Sequence, residues 1–130
     1  MTDIKGAEVD ISTLGFDSIT IEELEGLGDI GRDRLTFGVI GFDKETIVDA
    51  YNALESEMSG LDRRDVLGAP FFEATAQCMN NFMVAQRFED ESELDAIIPY
   101  VLTLRMRPTP VRMRLLATAG VLRRYILIQR

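Results

Sequence analysis

The alternation of hydrophobic and polar positions is clearest in the last third of the chain. In "YVLTLRMR" (100–107), every second residue from Tyr100 to Met106 is apolar, and polar residues stand between them from Thr103 onward. The alternation returns in "VRMRL" (111–115), and "RRYILIQR" (123–130) is more continuously apolar. These patterns predict three β-strands.

The middle of the chain predicts two further strands and several short helices. "LTFGVIGFD" (35–43) has the composition of a buried strand, and "ETIVDAY" (45–51) that of its hairpin partner across Asp43-Lys44. Residues 52–60 and 62–68 each end in glycine and predict short helices, Pro70 opens another, and the apolar spacing predicts one more over 79–95. This order predicts an α+β domain, a five-stranded antiparallel sheet with short helices over one face.

Residues 1–34 differ from the rest in being acidic and rich in glycine. One helix is predicted over 18–28, with Ser18 or Thr20 as its N-cap. We therefore divide the chain into an N-terminal acidic cap, residues 1–34, and a domain of residues 35–130, and we expect the cap to contribute little to the core.

The composition excludes several kinds of active site. The chain has one cysteine and no histidine, so an internal disulfide, a zinc site and Cys-His catalysis are not expected. We predict a protein that is not an enzyme and holds no metal. The N-terminus lacks the basic and apolar regions of a signal peptide, and no apolar run approaches membrane-spanning length, which predicts a soluble, cytoplasmic protein without a membrane partner.

Charge is unevenly distributed along the sequence. The net charge is −8, and all 22 acidic residues precede residue 96. In residues 96–130, arginine is the only charged residue type. An acidic protein repels phosphate and no nucleic-acid motif is present, so nucleic acid is not expected as a partner. We expect the arginines to lie near the acidic half of the chain or on a solvated face of the sheet.

The sequence resembles the photoactive yellow protein family over residues 37–78. "FGVIGFD" and "YNALESEMSGLDRRDVLGAPFFEATAQC" carry the resemblance, and "RMRPTPVRMRL" is similar to the family's Met-x-Pro-Thr segment. Residues 1–34 have no clear match, and segment 79–95 is a few residues shorter than in the family. The resemblance implies a PAS fold.

The resemblance also implies a chromophore site. The family carries 4-hydroxycinnamic acid (p-coumaric acid) as a covalent thioester on the cysteine that corresponds to Cys78. Tyr51 and Glu55 stand at the positions that bond the buried phenolate, and Ser59 stands where the family has a threonine that bonds the tyrosine.

Two apolar positions belong to the same implied pocket. Phe71, followed by Phe72, matches an aromatic pair before the cysteine, and Met106 matches a methionine linked to thermal re-isomerisation. Leu61 is a departure, because it replaces an arginine that covers the chromophore ring. Arg63 or Arg64 could supply that charge instead.

Physical chemistry accounts for the polar residue types. A phenolate in a pocket without water must be stabilised by donors, and a phenol and a neutral carboxylic acid donate without adding negative charge. Burial favours the protonated form of Glu55, which could then release its proton to the phenolate. The spacing of four between Tyr51, Glu55 and Ser59 places them on one side of a helical stretch.

Each residue also has a simpler interpretation. A lone cysteine such as Cys78 is commonly a small buried hydrophobic residue, and Met106 fits ordinary core packing. Tyr51 can end a strand with its ring in the core, Glu55 can be a solvated helix residue, and Ser59 beside a glycine suits a turn.

Three functions remain open. The first is a blue-light photoreceptor in which trans-cis isomerisation and proton transfer from Glu55 signal to an unidentified protein partner, by partial unfolding of the cap. The second is a chromophore-free PAS module that binds a small molecule or forms a homodimer. The third is a cysteine acyl-thioester carrier in small-molecule biosynthesis, in which Cys78 holds the acyl group.

Overall fold

The computed structural model describes residues 10–103 and 107–130, which form four α-helices and five β-strands. The helices are α1 (Ile21–Arg32), α2 (Ala53–Ser59), α3 (Arg63–Val66) and α4 (Ala85–Asp90). The strands are β1 (Gly38–Phe42), β2 (Val48–Tyr51), β3 (Leu94–Leu102), β4 (Thr109–Thr118) and β5 (Val121–Gln129). Three further turns are helical: Ile11–Thr13, Phe71–Thr75 and Gln77–Met79.

The strands form one antiparallel sheet in the order β2-β1-β5-β4-β3. This confirms the predicted five-stranded sheet and its α+β class. All five residues of β1 are buried, because the sheet is covered on both faces at that strand. Side chains of β5 alternate between the two faces, with Ile126 and Ile128 on the inner face and Tyr125 and Leu127 on the outer face.

Several predicted boundaries were wrong. The strand expected over 100–107 belongs to β3, which ends at Leu102. The helix expected over 79–95 is limited to α4, since the period-two pattern already begins at Leu94, six residues before Tyr100. The second strand of the first hairpin begins at Val48 rather than at residue 45. The Asp43 carboxylate accepts the backbone N–H groups of Glu45 and Ile47, and this closes a turn over 43–47.

The inner face of the sheet packs against α2 to α4 and the turns between them. Its centre is Phe42, whose ring lies 6.0 Å from that of Phe71, 5.4 Å from Phe72 and 5.0 Å from Phe88. The Phe42 and Phe71 rings are stacked and the other two contacts are edge-to-face, the arrangements that aromatic pairs prefer. The helical connection is thereby fixed to the sheet.

The N-terminal segment covers the outer face and adds a second core, which was not expected. Phe16, Ile19 and Leu24 are buried against outer-face residues that include Tyr125 and Leu127. Helix α1 starts at a capping box in which Thr20 and Glu23 exchange hydrogen bonds with each other's backbone, so Thr20 is the N-cap. Gly28, at φ +68°, interrupts the helix.

A polar network lies beneath α1. The Tyr125 hydroxyl is buried and donates to the Glu25 carboxylate, and burial raises the pKa of Tyr125 to about 12. Arg123 pairs with Asp49 of β2 and with Glu25, at 3.0 and 3.3 Å. Charged side chains therefore link α1 to two strands of the sheet.

Two arginines of β4 hold the segment before α1. Arg114 is 5% exposed and donates to the backbone oxygens of Phe16 (3.0 Å) and Ile19 (2.7 Å), while it pairs with Asp95 at 2.9 Å. Arg112 lies over the Phe16 ring, 5.1 Å from its centroid, and pairs with exposed Asp17. Acidic and basic halves thus meet as the charge distribution predicted.

Replacing Arg114 by methionine should destabilise the N-terminal segment. The Arg114→Met change leaves two buried carbonyl groups without their donor, at a cost on the order of 1–3 kcal/mol. Urea unfolding would measure the loss, and amide exchange should accelerate across residues 16–32. Arg112→Met is the matched control: its contacts are more exposed, so we expect a change within about 1 kcal/mol. Equal effects of the two substitutions would contradict this prediction.

Candidate functional site

The predicted donors Tyr51 and Ser59 meet in the buried core. Tyr51 ends β2, Ser59 ends α2, and their hydroxyl oxygens lie 2.9 Å apart. The Ser59 oxygen also accepts the backbone N–H of Leu61 at 3.2 Å. The pair has two hydroxyl hydrogens and their mutual bond uses one, so the second can serve a further acceptor. Burial raises the pKa of Tyr51, which keeps its phenol a neutral donor.

Asn52 orients this corner of the fold, although the sequence alone assigned it no role. It is 3% exposed and caps α2 by accepting the N–H of Glu55 at 3.1 Å. Its side-chain oxygen also accepts the N–H of Val39, and its amide group donates to the carbonyls of Arg32 and Phe37. An asparagine between a strand and a helix was the only sequence signal of this role.

Glu55 lies in the first turn of α2 and points into the protein. The residue is 1% exposed, which agrees with the buried position expected for it. A Cβ atom on Gly38 would overlap the Glu55 Oε1 atom, so β1 makes room for the carboxyl group by having no side chain there. The carboxyl group is consequently held against the backbone of β1.

The carboxyl group of Glu55 has a partner that was not predicted. Arg130, directly after β5, donates to both carboxyl oxygens, at 2.8 and 3.2 Å. Burial raises the pKa of Glu55, and the hydrogen bond and charge of Arg130 only partly offset that effect. The sequence signal for this contact is that Arg130 continues the inner-face alternation of Ile126 and Ile128.

Cys78 lies in the turn Gln77–Met79 and is half-buried. Its carbonyl oxygen accepts the Tyr100 hydroxyl at 2.6 Å and the Asn81 amide at 3.1 Å, and Asn81 also donates to Tyr100 at 2.7 Å. Met79 beside it is buried. The backbone at the cysteine is therefore anchored to β3, which the sequence did not indicate.

The predicted site residues border one hydrophobic core. Tyr51 and Phe71 belong to that core, and Cys78 and Leu61 are partly buried and pack against it. Met106 lies outside the described residues, so its predicted position in the pocket stays a prediction. The described thiol, hydroxyl and aromatic groups thus all border the core on the inner face of the sheet.

The two arginines suggested as substitutes at Leu61 have other partners. Arg63 pairs with Asp33 at 2.8 Å, and Arg64 pairs with Asp62, also at 2.8 Å. Leu61 itself packs against the core. The side of the site near Leu61 is therefore covered by an apolar group, and both guanidinium groups are engaged with carboxylates.

Two negative findings concern the described residues. Across 10–103 and 107–130, no group of three or more His, Cys, Asp or Glu side chains is arranged to hold a metal ion. In the same ranges, no helix has the length and apolar character needed to cross a membrane.

The order of the strands and the helices over one face define a PAS domain. Among solved structures, the photoactive yellow protein domain of the sensor histidine kinase Ppr from Rhodospirillum centenum matches with a TM-score of 0.77 and 29% identity. The match covers 84% of this chain and 98% of that domain.

Two photoactive yellow proteins are similar to this chain in sequence. Photoactive yellow protein of Rhodothalassium salexigens is 35% identical over 92 residues, 68% of this chain and 74% of the relative. That of Halochromatium salexigens is 33% identical over 104 residues, 77% of this chain and 83% of the relative. No protein-family model matches the sequence. The chain belongs to the photoactive yellow protein family, PAS photoreceptors that use a chromophore.

Substituting Gly38 should disturb the Glu55 carboxyl group. A Cβ in Gly38→Ala overlaps Oε1, and relief of the overlap should cost roughly 1–3 kcal/mol, measured by urea unfolding. Gly26→Ala is the control, since a Cβ there meets nothing within 4 Å and α1 should gain about 0.5–1 kcal/mol. A neutral Gly38→Ala would show that β1 does not confine Glu55.

Stability should depend on pH through Glu55. Because its pKa in the folded protein is raised above the ordinary 4.5, the native state keeps this proton where the unfolded chain has lost it. The resulting stabilisation is complete below pH 4.5 and is lost as the pH rises through the folded pKa. We expect Glu55→Gln to remove this decline in the free energy of unfolding. Glu57→Gln, on the exposed side of α2, should leave it unchanged, and parallel wild-type and Glu55→Gln curves would contradict the assignment.

Proposed function

We propose that this chain is a blue-light sensor that carries a 4-hydroxycinnamoyl group as a thioester on Cys78. The observation that carries the proposal is the grouping of a half-buried thiol with a buried pair of hydroxyl groups around one core. When bound, the chromophore supplies light absorption, trans-cis isomerisation of its double bond and a phenol oxygen able to carry negative charge. Membership in the family supports this choice of cofactor.

The residues present fit such a group. Tyr51 and Ser59 retain one hydroxyl hydrogen for an acceptor beyond their own pair, as a phenolate oxygen requires. Phe71 and Leu61 supply apolar cover that excludes water. Cys78 is the only cysteine of the chain, so attachment has a single candidate thiol. Met106 remains part of the proposed pocket on the basis of the sequence resemblance alone.

Glu55 is the proposed proton donor. Burial favours its protonated form, and a protonated carboxyl group donates a hydrogen bond without adding charge. Release of that proton leaves a carboxylate in the core, where an ionised group is costly unless it has a partner. The proton on Glu55 thus couples the state of the pocket to the stability of the surrounding structure.

The proposed output involves the N-terminal cap and a protein partner. We keep the division into residues 1–34 and 35–130, with the cap as the part that loosens, because it is a separate layer on the outer face. Its described contacts with the rest of the chain are the β4 arginines, the polar network under α1, the second core and the bonds of Arg32 and Asp33. The related domain from a sensor histidine kinase supports a signalling protein as the partner. We propose a cytoplasmic location and no enzymatic activity.

A chromophore-free PAS module is the second candidate. Leu61 in place of a charged cover and the pairing of Glu55 with Arg130 favour it, because both make the site less like a phenolate pocket. This candidate requires no chemistry at Cys78. A small apolar ligand or a second copy of the chain would then be the natural partner. An acyl carrier is supported by no comparable observation.

Attachment at Cys78 is the direct test. The full chain is incubated with an activated 4-hydroxycinnamoyl ester; the Sγ atom forms a bond to the acyl carbon, and the activating group leaves with its electron pair and the thiol proton. We expect an intact mass higher by one acyl group. We also expect a visible absorption band that is bleached by blue light and then recovers.

Two variants separate the candidates. Cys78→Ala should abolish both the adduct and the band, whereas Glu55→Gln should keep the adduct and shift the band, with Glu57→Gln as its neutral control. An adduct without a photocycle would favour the acyl carrier. The absence of any adduct on the folded wild-type chain would overturn both covalent functions and leave the binding module.

A further inference from the structure

We propose that Arg130 is a positioning residue for Glu55: its guanidinium binds the ionised carboxyl group and leaves it when the carboxyl group is protonated. Proton exchange at Glu55 then makes and breaks a contact at the end of β5. The inference rests on the proposed function only in giving Glu55 a proton to exchange.

The geometry of the contact is that of a charge pair. Two guanidinium nitrogens of Arg130 each reach a different oxygen of Glu55, at 2.8 and 3.2 Å. This paired arrangement is the strongest that arginine makes with a carboxylate. A protonated carboxyl group offers one acceptor oxygen fewer and no charge, so the contact specifically favours the ionised form.

The two partners differ in their access to solvent. The Glu55 side chain is 1% exposed and confined by Gly38, whereas the Arg130 side chain is 16% exposed at the end of the sheet. Arg130 can therefore exchange its partner for water, and Glu55 cannot. If the pair separates, the carboxyl group remains in the core and must take up a proton.

The other polar groups around Glu55 do not compete for this role. Tyr51, the titratable group facing it from β2, is bonded to Ser59, and its high pKa keeps it neutral. Among the described residues, Arg130 is the cation that lowers the pKa of Glu55. Arg63 and Arg64, which follow α2 in the chain, are paired with Asp33 and Asp62.

The pairing has a consequence for signalling. A neutral Glu55 donates a hydrogen bond and needs no cation, whereas an ionised Glu55 accepts two hydrogen bonds from Arg130. The carboxylate formed by proton release is then compensated at once by a cation. Arg130 would therefore stabilise the state after proton release. The hydrogen bonds that form with the new carboxylate would also carry the structural change from Glu55 to the end of β5.

Arg130→Met tests the inference on the full chain without added chromophore. We expect the pKa of Glu55 to rise by about one unit or more, a tenfold or greater increase in its affinity for a proton. The readout is the infrared carbonyl band of the protonated acid, followed against pH and assigned by its loss in Glu55→Gln. Arg34→Met, which removes the same charge from an exposed position, is the control and should leave the titration unchanged.

Two further variants keep the test decisive if Arg130→Met folds poorly. Arg130→Lys keeps the charge without the two-pronged geometry and should give an intermediate titration. In a Glu55→Gln background, Arg130→Met should cost much less stability than in the wild type, because no carboxylate is left unpaired. An unchanged Glu55 titration in Arg130→Lys and Arg130→Met, or equal costs in both backgrounds, would overturn the inference. Because no adduct is involved, failure to label Cys78 would count against the proposed function and leave this result standing.

Discussion

The hydrogen bonds of the Asn52 side chain are the contact on which the rest of the structure depends. One amide group joins the end of α1, the entry to β1, the interior of β1 and the first turn of α2. Both of its hydrogens and its oxygen are used inside the protein, so the group loses nothing by burial. The N-terminal segment, the sheet and the helix that carries Glu55 therefore share one fixed point.

Ion pairs provide further links between segments that are distant in the sequence. Among the described residues, four arginines of the segment 96–130 pair with acids of the segment before residue 96, from Arg112–Asp17 on the outer face to Arg130–Glu55 on the inner one. The exposed pairs contribute little individually, whereas Arg114 and Glu55 are buried and cannot lose their partners cheaply. These pairs thus connect the N-terminal segment to the outer face of the sheet and α2 to the end of β5.

The sequence predicted those features that depend on local pattern. The alternating residues of β4, the apolar run of β5, the capping residues Ser18 or Thr20 and the glycines that end α2 and follow α3 indicate structure within a few residues. The start of β3 was missed because segment 79–95 contains both helical and alternating spacings, and only pairing with β4 decides between them. The second core was missed because its apolar residues are scattered among acids.

The candidate site shows the same division. Tyr51, Glu55, Ser59 and Cys78 were predicted from the resemblance to the photoactive yellow protein family. In the structure Tyr51 belongs to the inner core, Cys78 packs against it, and Glu55 and Ser59 are buried. Asn52, Gly38 and Arg130 were not identified, because their roles arise from contacts between residues distant in sequence. Arg130 lies 75 positions from its partner, and no local pattern encodes that separation.

The second core, between the N-terminal segment and the outer face, makes the docking of that segment depend on temperature. Displacing the segment would bring Phe16, Ile19 and Leu24, together with the sheet residues beneath them, into contact with water. Hydration of apolar surface raises the heat capacity, so the free energy of docking is curved in temperature and weakens on cooling as well as on heating. The temperature at which the organism lives is therefore one of the determinants of how firmly the N-terminal segment binds to the outer face of the sheet.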